Sequence, residues 1–170
     1  GLTAKLAETL DHISDGRAIL GIGGAWFELE HEAHGIDFGS GFGQRLDWMD
    51  EAVEAMRTVM DGGSATARDG GHYEFDDLRH QPLPIQRRLP IMIGGSGEKK
   101  TLRTVAKYAD MWNAMGPLDV MARKVDVLKR HCDEVGRDVN DIEFTLGVKF
   151  TLRDSKEEAD RVWRAAMEHN

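Results

Sequence analysis

Apolar positions recur along the chain at two spacings, one helical and one suited to short buried strands. Leu2, Leu6, Leu10 and Ile13 fall on one helical stripe, and Asp15-Gly16 punctuates its end. Arg17-Ala18-Ile19-Leu20-Gly21-Ile22-Gly23 is a brief apolar run that reads as a buried strand ending in glycines. A glycine-rich irregular stretch is expected from there to Gly43. Leu46, Met49, Val53, Met56 and Met60 then step by three and four, which predicts a helix closed by Asp61-Gly62-Gly63. Residues 65–76, with Arg68-Asp69-Gly70-Gly71 inside them, look like a small hairpin.

Beyond Pro82, Pro84 and Pro90 the alternation repeats. Ile91-Met92-Ile93 predicts a second buried strand, and Gly94-Gly95-Ser96-Gly97 opens a helix with Leu102, Val105, Ala106 and Ala109 on its stripe. Asp110 to Met115 reads as a third strand. Pro117 suits the first turn of the next helix, where Met121, Val125, Leu128, Cys132 and Val135 share a face. Ile142 to Phe150 alternates as a fourth strand, and Ser155 with Glu158 forms a capping-box pattern ahead of a last helix.

The order is therefore one helix followed by four strand–helix units, an α/β pattern that implies a parallel sheet with right-handed crossovers. A doubly wound sheet and part of a (β/α)₈ barrel both satisfy it. A complete barrel takes about 250 residues, and the chain has 170. Four units supply half a barrel, with helices at both ends and two strand edges to hide. That predicts either a remainder of the barrel elsewhere or a homo-oligomer that covers the edges.

Composition narrows the partners. Hydrophobic residues make up 41% and charged residues 31%, so the chain can fold around a core of ordinary size. Lys and Arg total 22 against 30 Asp and Glu, a net charge of −8. That balance argues against a general binder of nucleic acid or anionic membrane, while a local basic patch could still grip one phosphate. The single Cys132 cannot form an internal disulfide, which suits a cytoplasmic setting. No apolar run approaches the ~20 residues of a membrane helix.

Several motifs could carry chemistry. The segment Gly94-Gly95-Ser96-Gly97 follows a strand and precedes a helix, where glycines let backbone N–H groups approach an anion. Lys99, Lys100 and Arg103 add cations close by. The reading is phosphate binding; the alternative is a tight turn with solvated lysines. A P-loop is not matched, because its Lys must follow Gly. Gly21-Ile22-Gly23-Gly24-Ala25-Trp26 lacks the third glycine of a dinucleotide fingerprint, so it reads instead as a strand end over which a flat ligand can lie, with Trp26 stacking or merely packing. His31 and His34 are three apart in Glu30-His31-Glu32-Ala33-His34, whereas the zinc helix motif needs four, so no metal site is expected. Trp112 and Asn113 end the third strand. Asn113 can reach a cofactor carbonyl or phosphate, or cap the turn before Pro117.

Taken in order, these motifs resemble a known family. Leu10-Asp11-His12-Ile13-Ser14-Asp15-Gly16-Arg17, Leu20-Gly21-Ile22-Gly23, Trp26, Glu30, Gly35-Ile36-Asp37-Phe38, Arg45, Glu51, Pro90-Ile91-Met92-Ile93-Gly94-Gly95-Ser96-Gly97 and Ala109-Asp110-Met111-Trp112-Asn113 are similar to the luciferase-like monooxygenase superfamily. Within it the chain most resembles oxidoreductases that use the deazaflavin coenzyme F420. The match runs over residues 2–115 and continues more weakly to the end. The resemblance implies a (β/α)₈ TIM-type barrel, with residues 1–170 covering roughly its third helix to its seventh. It implies a cofactor phosphate on the Gly94–Gly97 loop and a cofactor ring along Gly21 and Gly23. It also implies hydride transfer between the deazaflavin and a small organic substrate, with FMN-dependent monooxygenation or a non-catalytic flavin-binding half barrel as alternatives. Phe27, near a position where the family often carries Asn, and the order Gly24-Ala25, where Ala-Gly is common, depart from the pattern. The family's first three strands carry much of the catalytic apparatus and have no counterpart in these residues, so no catalytic residue is assigned.

Overall fold

Four parallel strands in chain order make the central sheet, which decides between the two architectures. The computed structural model describes residues 1–67 and 70–168. Helix α1 (Leu2–Ile13) leads into strand β1 (Leu20–Ile22), a short helix α2 (Glu28–Ala33) and helix α3 (Phe42–Met60). A hairpin of β2 (Ala65–Ala67) and β3 (Phe75–Leu78) follows. The chain then alternates through β4 (Ile91–Gly94), α4 (Thr101–Tyr108), β5 (Met111–Met115), α5 (Leu118–Val135), β6 (Glu143–Gly147) and α6 (Lys156–Glu168). The sheet order is β1-β4-β5-β6, every pair parallel, with the antiparallel hairpin apart from it. A doubly wound sheet reverses its strand order partway, and a barrel segment does not. The chain is a partial (β/α)₈-type barrel of four strand–helix units.

The two sheet faces differ as the pleat requires. Ile91, Ile93, Trp112 and Ala114 are buried against the helices. The opposite, interior face carries cross-strand rows made by Gly21, Met92, Met111 and Glu143, and by Gly94, Asn113 and Thr145. Helix α3 buries Leu46, Met49, Val53, Met56 and Met60, so its methionines are core, as their spacing predicts. Leu102, Val105, Ala106 and Ala109 are fully buried beside α4, and Leu128 and Cys132 are buried on α5.

Four expectations need correction. Helix α1 forms over the predicted residues, but Leu2, Leu6, Leu10 and Ile13 face outward. Its inner face is Ala4, Ala7, Glu8 and Asp11, because two buried carboxylates find partners there: His80 Nδ1 lies 2.9 Å from Glu8, and the Gln86 side chain donates to Asp11 at 2.7 Å. Apolar spacing marks an amphipathic helix without saying which face the core takes. The stretch expected to be irregular after β1 contains α2, a single short helix with no buried residue. The helix expected to open from Gly97 starts at Thr101, after a turn in which the Leu102 N–H reaches back to the Gly97 carbonyl. Pro117 is the N-cap of α5 with extended backbone rather than a residue of its first turn. The predicted hairpin is present, and Arg68 and Asp69 within it lie outside the described residues.

At the N-terminal end of the sheet a charged network ties strands to helices. Asp110 accepts from the buried Arg57 guanidinium, from Arg88, and from the Ile91 N–H at 2.8 Å. Arg57 also donates to the Leu89 carbonyl and Arg88 to Asp61, both at 3.1 Å. In barrels that end of the sheet serves stability and the C-terminal end carries the chemistry.

Candidate functional site at the C-terminal end of the sheet

The glycine loop leaves β4 at the C-terminal end of the sheet, and its shape is fixed from two sides. Gly95 has φ +121°, in the region that L side chains rarely adopt. A Cβ on Gly97 would meet the hydroxyl of buried Thr101 at 2.9 Å, so that position admits no side chain without movement. The Gly95 N–H donates to the Asn113 carbonyl at 3.0 Å, and the Gly95 carbonyl accepts from the Trp112 indole Nε1 at 2.7 Å. With Gly95 pinned at both backbone groups, the N–H groups of Ser96 and Gly97 and the Ser96 hydroxyl are left without a hydrogen bond among the described residues. Unpaired backbone donors in a glycine loop between a strand end and a helix can cradle an anion.

Electrostatics around the loop differ from the simple count of its cations. Lys100 is turned away, donating to both Asp47 oxygens at 2.7 Å and to the Gly43 carbonyl at 3.0 Å. The short α4 start therefore docks on α3, with Lys107 and Thr104 on Asp50 continuing the same seam. Lys99 is exposed. Glu98, whose charge would repel an anion, is neutralised from α5. Its hydrogen bond with Lys124, 2.6 Å long, holds the carboxyl below its ordinary range, helped by Arg123 and Arg130 nearby. The His131 Nε2 donates to the Glu98 carbonyl at 2.7 Å. Lys124 and His131 thus brace the loop exit. Sequence reading missed both, because they are distant in the chain and only the crossover of α5 brings them under the loop.

The other expected residues divide by sheet face. Gly21, Gly23, Gly94 and Asn113 lie on or open onto the interior face. A Cβ at Gly21 would meet nothing within 4 Å, while at Gly23 it would lie 3.8 Å from the Gly94 carbonyl oxygen. Asn113 donates to the Thr145 hydroxyl at 2.8 Å. Trp112 sits on the opposite face, 2% exposed and edge-on to Phe144, and reaches the site only through its bond to Gly95. It shapes the loop rather than facing a ligand. Trp26 is 85% exposed and stacks on Phe27, so it packs on its neighbour in the loop after β1.

The remaining motif residues hold loops in place. Arg45 donates to the carbonyls of Gly24, Ala25 and Phe38 and lies 3.7 Å from the Phe38 ring centre. Glu51 accepts from the N–H groups of His72 and Tyr73 at 2.9 and 3.0 Å, clamping the hairpin tip onto α3. The ring nitrogens of His31 and His34 bond to the carbonyls of Phe27 and Glu30 one turn back. Among the described residues no cluster of three or more His, Cys, Asp or Glu side chains is arranged to hold a metal. A cavity of about 500 Å³ opens between α3, the hairpin and the start of α1. Ile22 and Gly23 line it at the end of β1, so it adjoins the glycines expected to hold a cofactor ring. Burial pushes the Cys132 thiol above its ordinary value, which suits a core residue rather than a nucleophile.

Comparison with known proteins agrees with the fold. An uncharacterized protein of Mycobacterium tuberculosis is 34% identical over 109 residues, covering 64% of this chain and 37% of the relative. The pyrimidine monooxygenase RutA of Escherichia coli is 26% identical over 174 residues, covering 99% of this chain and 45% of that protein. Among solved structures, the coenzyme F420-dependent tetrahydromethanopterin reductase of Methanopyrus kandleri superposes with a TM-score of 0.74 at 21% identity, over 93% of this chain and 48% of that one. The long-chain alkane monooxygenase LadA gives 0.75 at 20% identity, over 95% and 42%. The chain spans less than half the length of each. The family model for luciferase-like monooxygenases matches residues 1–170, and the chain belongs to that family.

Proposed function

We propose that this chain binds the phosphate-bearing tail of a deazaflavin, coenzyme F420, and serves an oxidoreductase that moves hydride between that cofactor and a small organic substrate. The observation that carries the reading is the loop at Gly94–Gly97: its backbone is pinned by Trp112 and Asn113, and the N–H groups of Ser96 and Gly97 and the Ser96 hydroxyl have no hydrogen bond among the described residues. The residues fit a phosphate, since Gly95 and Gly97 leave the approach clear and Lys124 offsets Glu98. Gly21 and Gly23 leave the interior face open for a flat ring. When bound, the deazaflavin supplies two-electron hydride chemistry, and the chain supplies position and charge complementarity. The resemblance of the Leu20–Gly23 and Pro90–Gly97 motifs to deazaflavin enzymes, and the likeness to a solved coenzyme F420-dependent reductase, support this choice of cofactor.

FMN is the second reading, favoured by the relative named a pyrimidine monooxygenase. Titrating coenzyme F420 and FMN separately, each followed by its own fluorescence, discriminates the two. The deazaflavin reading expects coenzyme F420 to bind at least tenfold more tightly. Equal or tighter binding of FMN overturns it in favour of monooxygenation, and binding of neither overturns both.

The proposal extends to assembly. Strands β1 and β6 each have one neighbour among the described residues, so two sheet edges are open. In the working protein those edges are covered, by further strand–helix units or by a second copy.

A further inference from the structure

The Asn113 carboxamide has a fixed direction, and the direction has a chemical meaning. Asn113 pairs with Gly94 on one side and Thr145 on the other, on the interior face of the sheet. Its Nδ2 donates to Thr145 Oγ1 at 2.8 Å. The Thr145 hydroxyl in turn donates its only proton to the Trp112 carbonyl at 3.2 Å. With its proton on the Trp112 carbonyl the hydroxyl accepts from Asn113, and turning the carboxamide over would face oxygen to oxygen or cost the bond to Trp112. Asn113 Oδ1 is left as an acceptor with no hydrogen bond among the described residues.

We propose that Thr145 is a positioning residue that presents Asn113 Oδ1 to the polyhydroxyl chain of the cofactor, so that Asn113 selects a neutral O–H donor beside the phosphate loop. The place follows from the register. Strands lie about 4.8 Å apart, so Asn113 stands one strand spacing from Gly94, where the loop begins. Ligand atoms there are those adjacent to the phosphate, and in flavins and deazaflavins these are the hydroxyls of the sugar-alcohol chain. This rests on the proposed phosphate loop for its location, and its test is independent of phosphate.

Riboflavin, which keeps the polyol and lacks the phosphate, is titrated into wild type and variants, with lumichrome, which lacks the polyol, as the control. Asn113→Asp keeps an acceptor toward the ligand while the Thr145 hydroxyl turns its proton from the Trp112 carbonyl to the carboxylate, and should hold riboflavin affinity within about threefold. Asn113→Leu and Thr145→Val should each weaken riboflavin about tenfold, the size of one hydrogen bond. Thr145→Ser should restore it, which a merely structural role for the methyl group would not. Lumichrome affinity should be the same throughout. If Thr145→Val unfolds the chain, the two Asn113 variants decide the matter. Equal losses in Asn113→Asp and Asn113→Leu, an unchanged series, or no riboflavin binding to wild type overturns the proposal. A series that is flat for riboflavin while FMN still depends on Ser96 removes this inference and leaves the phosphate loop standing. The converse result removes the loop and leaves Asn113.

Discussion

Gly95 carries two constraints in one residue: a positive φ and bonds from both of its backbone groups to β5. A β-branched side chain there strains the backbone and turns the loop donors aside. Gly95→Val should weaken binding of a phosphorylated flavin or deazaflavin by at least tenfold, while His31→Ala leaves it unchanged. Equal losses at the two positions in a fluorescence titration would move the site toward α2. Asp11 makes a second residue-scale case. Burial pushes its carboxyl up, but hydrogen bonds from the Gln86 backbone and side chain, with those at Ala18 and Ile85, outweigh burial and hold it below its ordinary value. A depressed carboxylate adds stability that is full above its unfolded value of about 3.9 and disappears as pH falls through the lower folded value. Urea midpoints from pH 6 down to pH 3 should therefore fall more steeply in wild type than in Asp11→Asn. Parallel curves would contradict the role given to Asp11.

Among the elements, strands and helices were legible because each carries a local signal: the short apolar run of β4, the alternation around β6, the three-and-four steps of α3 and α5. The Ser155 cap was legible too, and its hydroxyl accepts from the Glu158 N–H at 3.2 Å. What local pattern cannot carry is orientation. The leucines of α1 predict a helix, yet the core takes the face where Glu8 and Asp11 find His80 and Gln86, partners some seventy residues away. The candidate site divides in the same way. Gly94 to Gly97 stood out by composition, whereas the turning of Lys100 to Asp47, the face taken by Trp112 and the bracing by Lys124 and His131 depend on tertiary packing. The Asp110 network gives an element-scale prediction. Asp110→Ala leaves the Arg57 guanidinium, 7% exposed, without its strongest partner. It should cost roughly 3 kcal/mol, a fall of about 6–12 °C in Tm. Cofactor affinity should be unchanged, since the network lies at the opposite end of the sheet from the loop. Calorimetry showing Tm within a degree of wild type would contradict it.

For the whole molecule, a four-stranded parallel sheet with two open edges and an exposed row of Leu2, Leu6, Leu10 and Ile13 has more to hide than its own helices cover. Size-exclusion chromatography with light scattering on the 170-residue chain should show self-association or aggregation. A soluble monomer that unfolds cooperatively would contradict the covered-edge reading. Whatever covers the edges, the end of the sheet that holds Gly23, Gly94 and Asn113 is where this architecture places its ligands, and the account stands or falls there. The most direct measurement is the affinity ratio between a phosphorylated cofactor and the same molecule without its phosphate, in wild type and Ser96→Ala. A charge-assisted bond from the Ser96 hydroxyl is worth about 1.5–3 kcal/mol. Ser96→Ala should then raise the Kd of the phosphorylated form by roughly 10- to 100-fold and leave the other form unchanged. Equal changes in both forms, or no change in either, would contradict the phosphate loop.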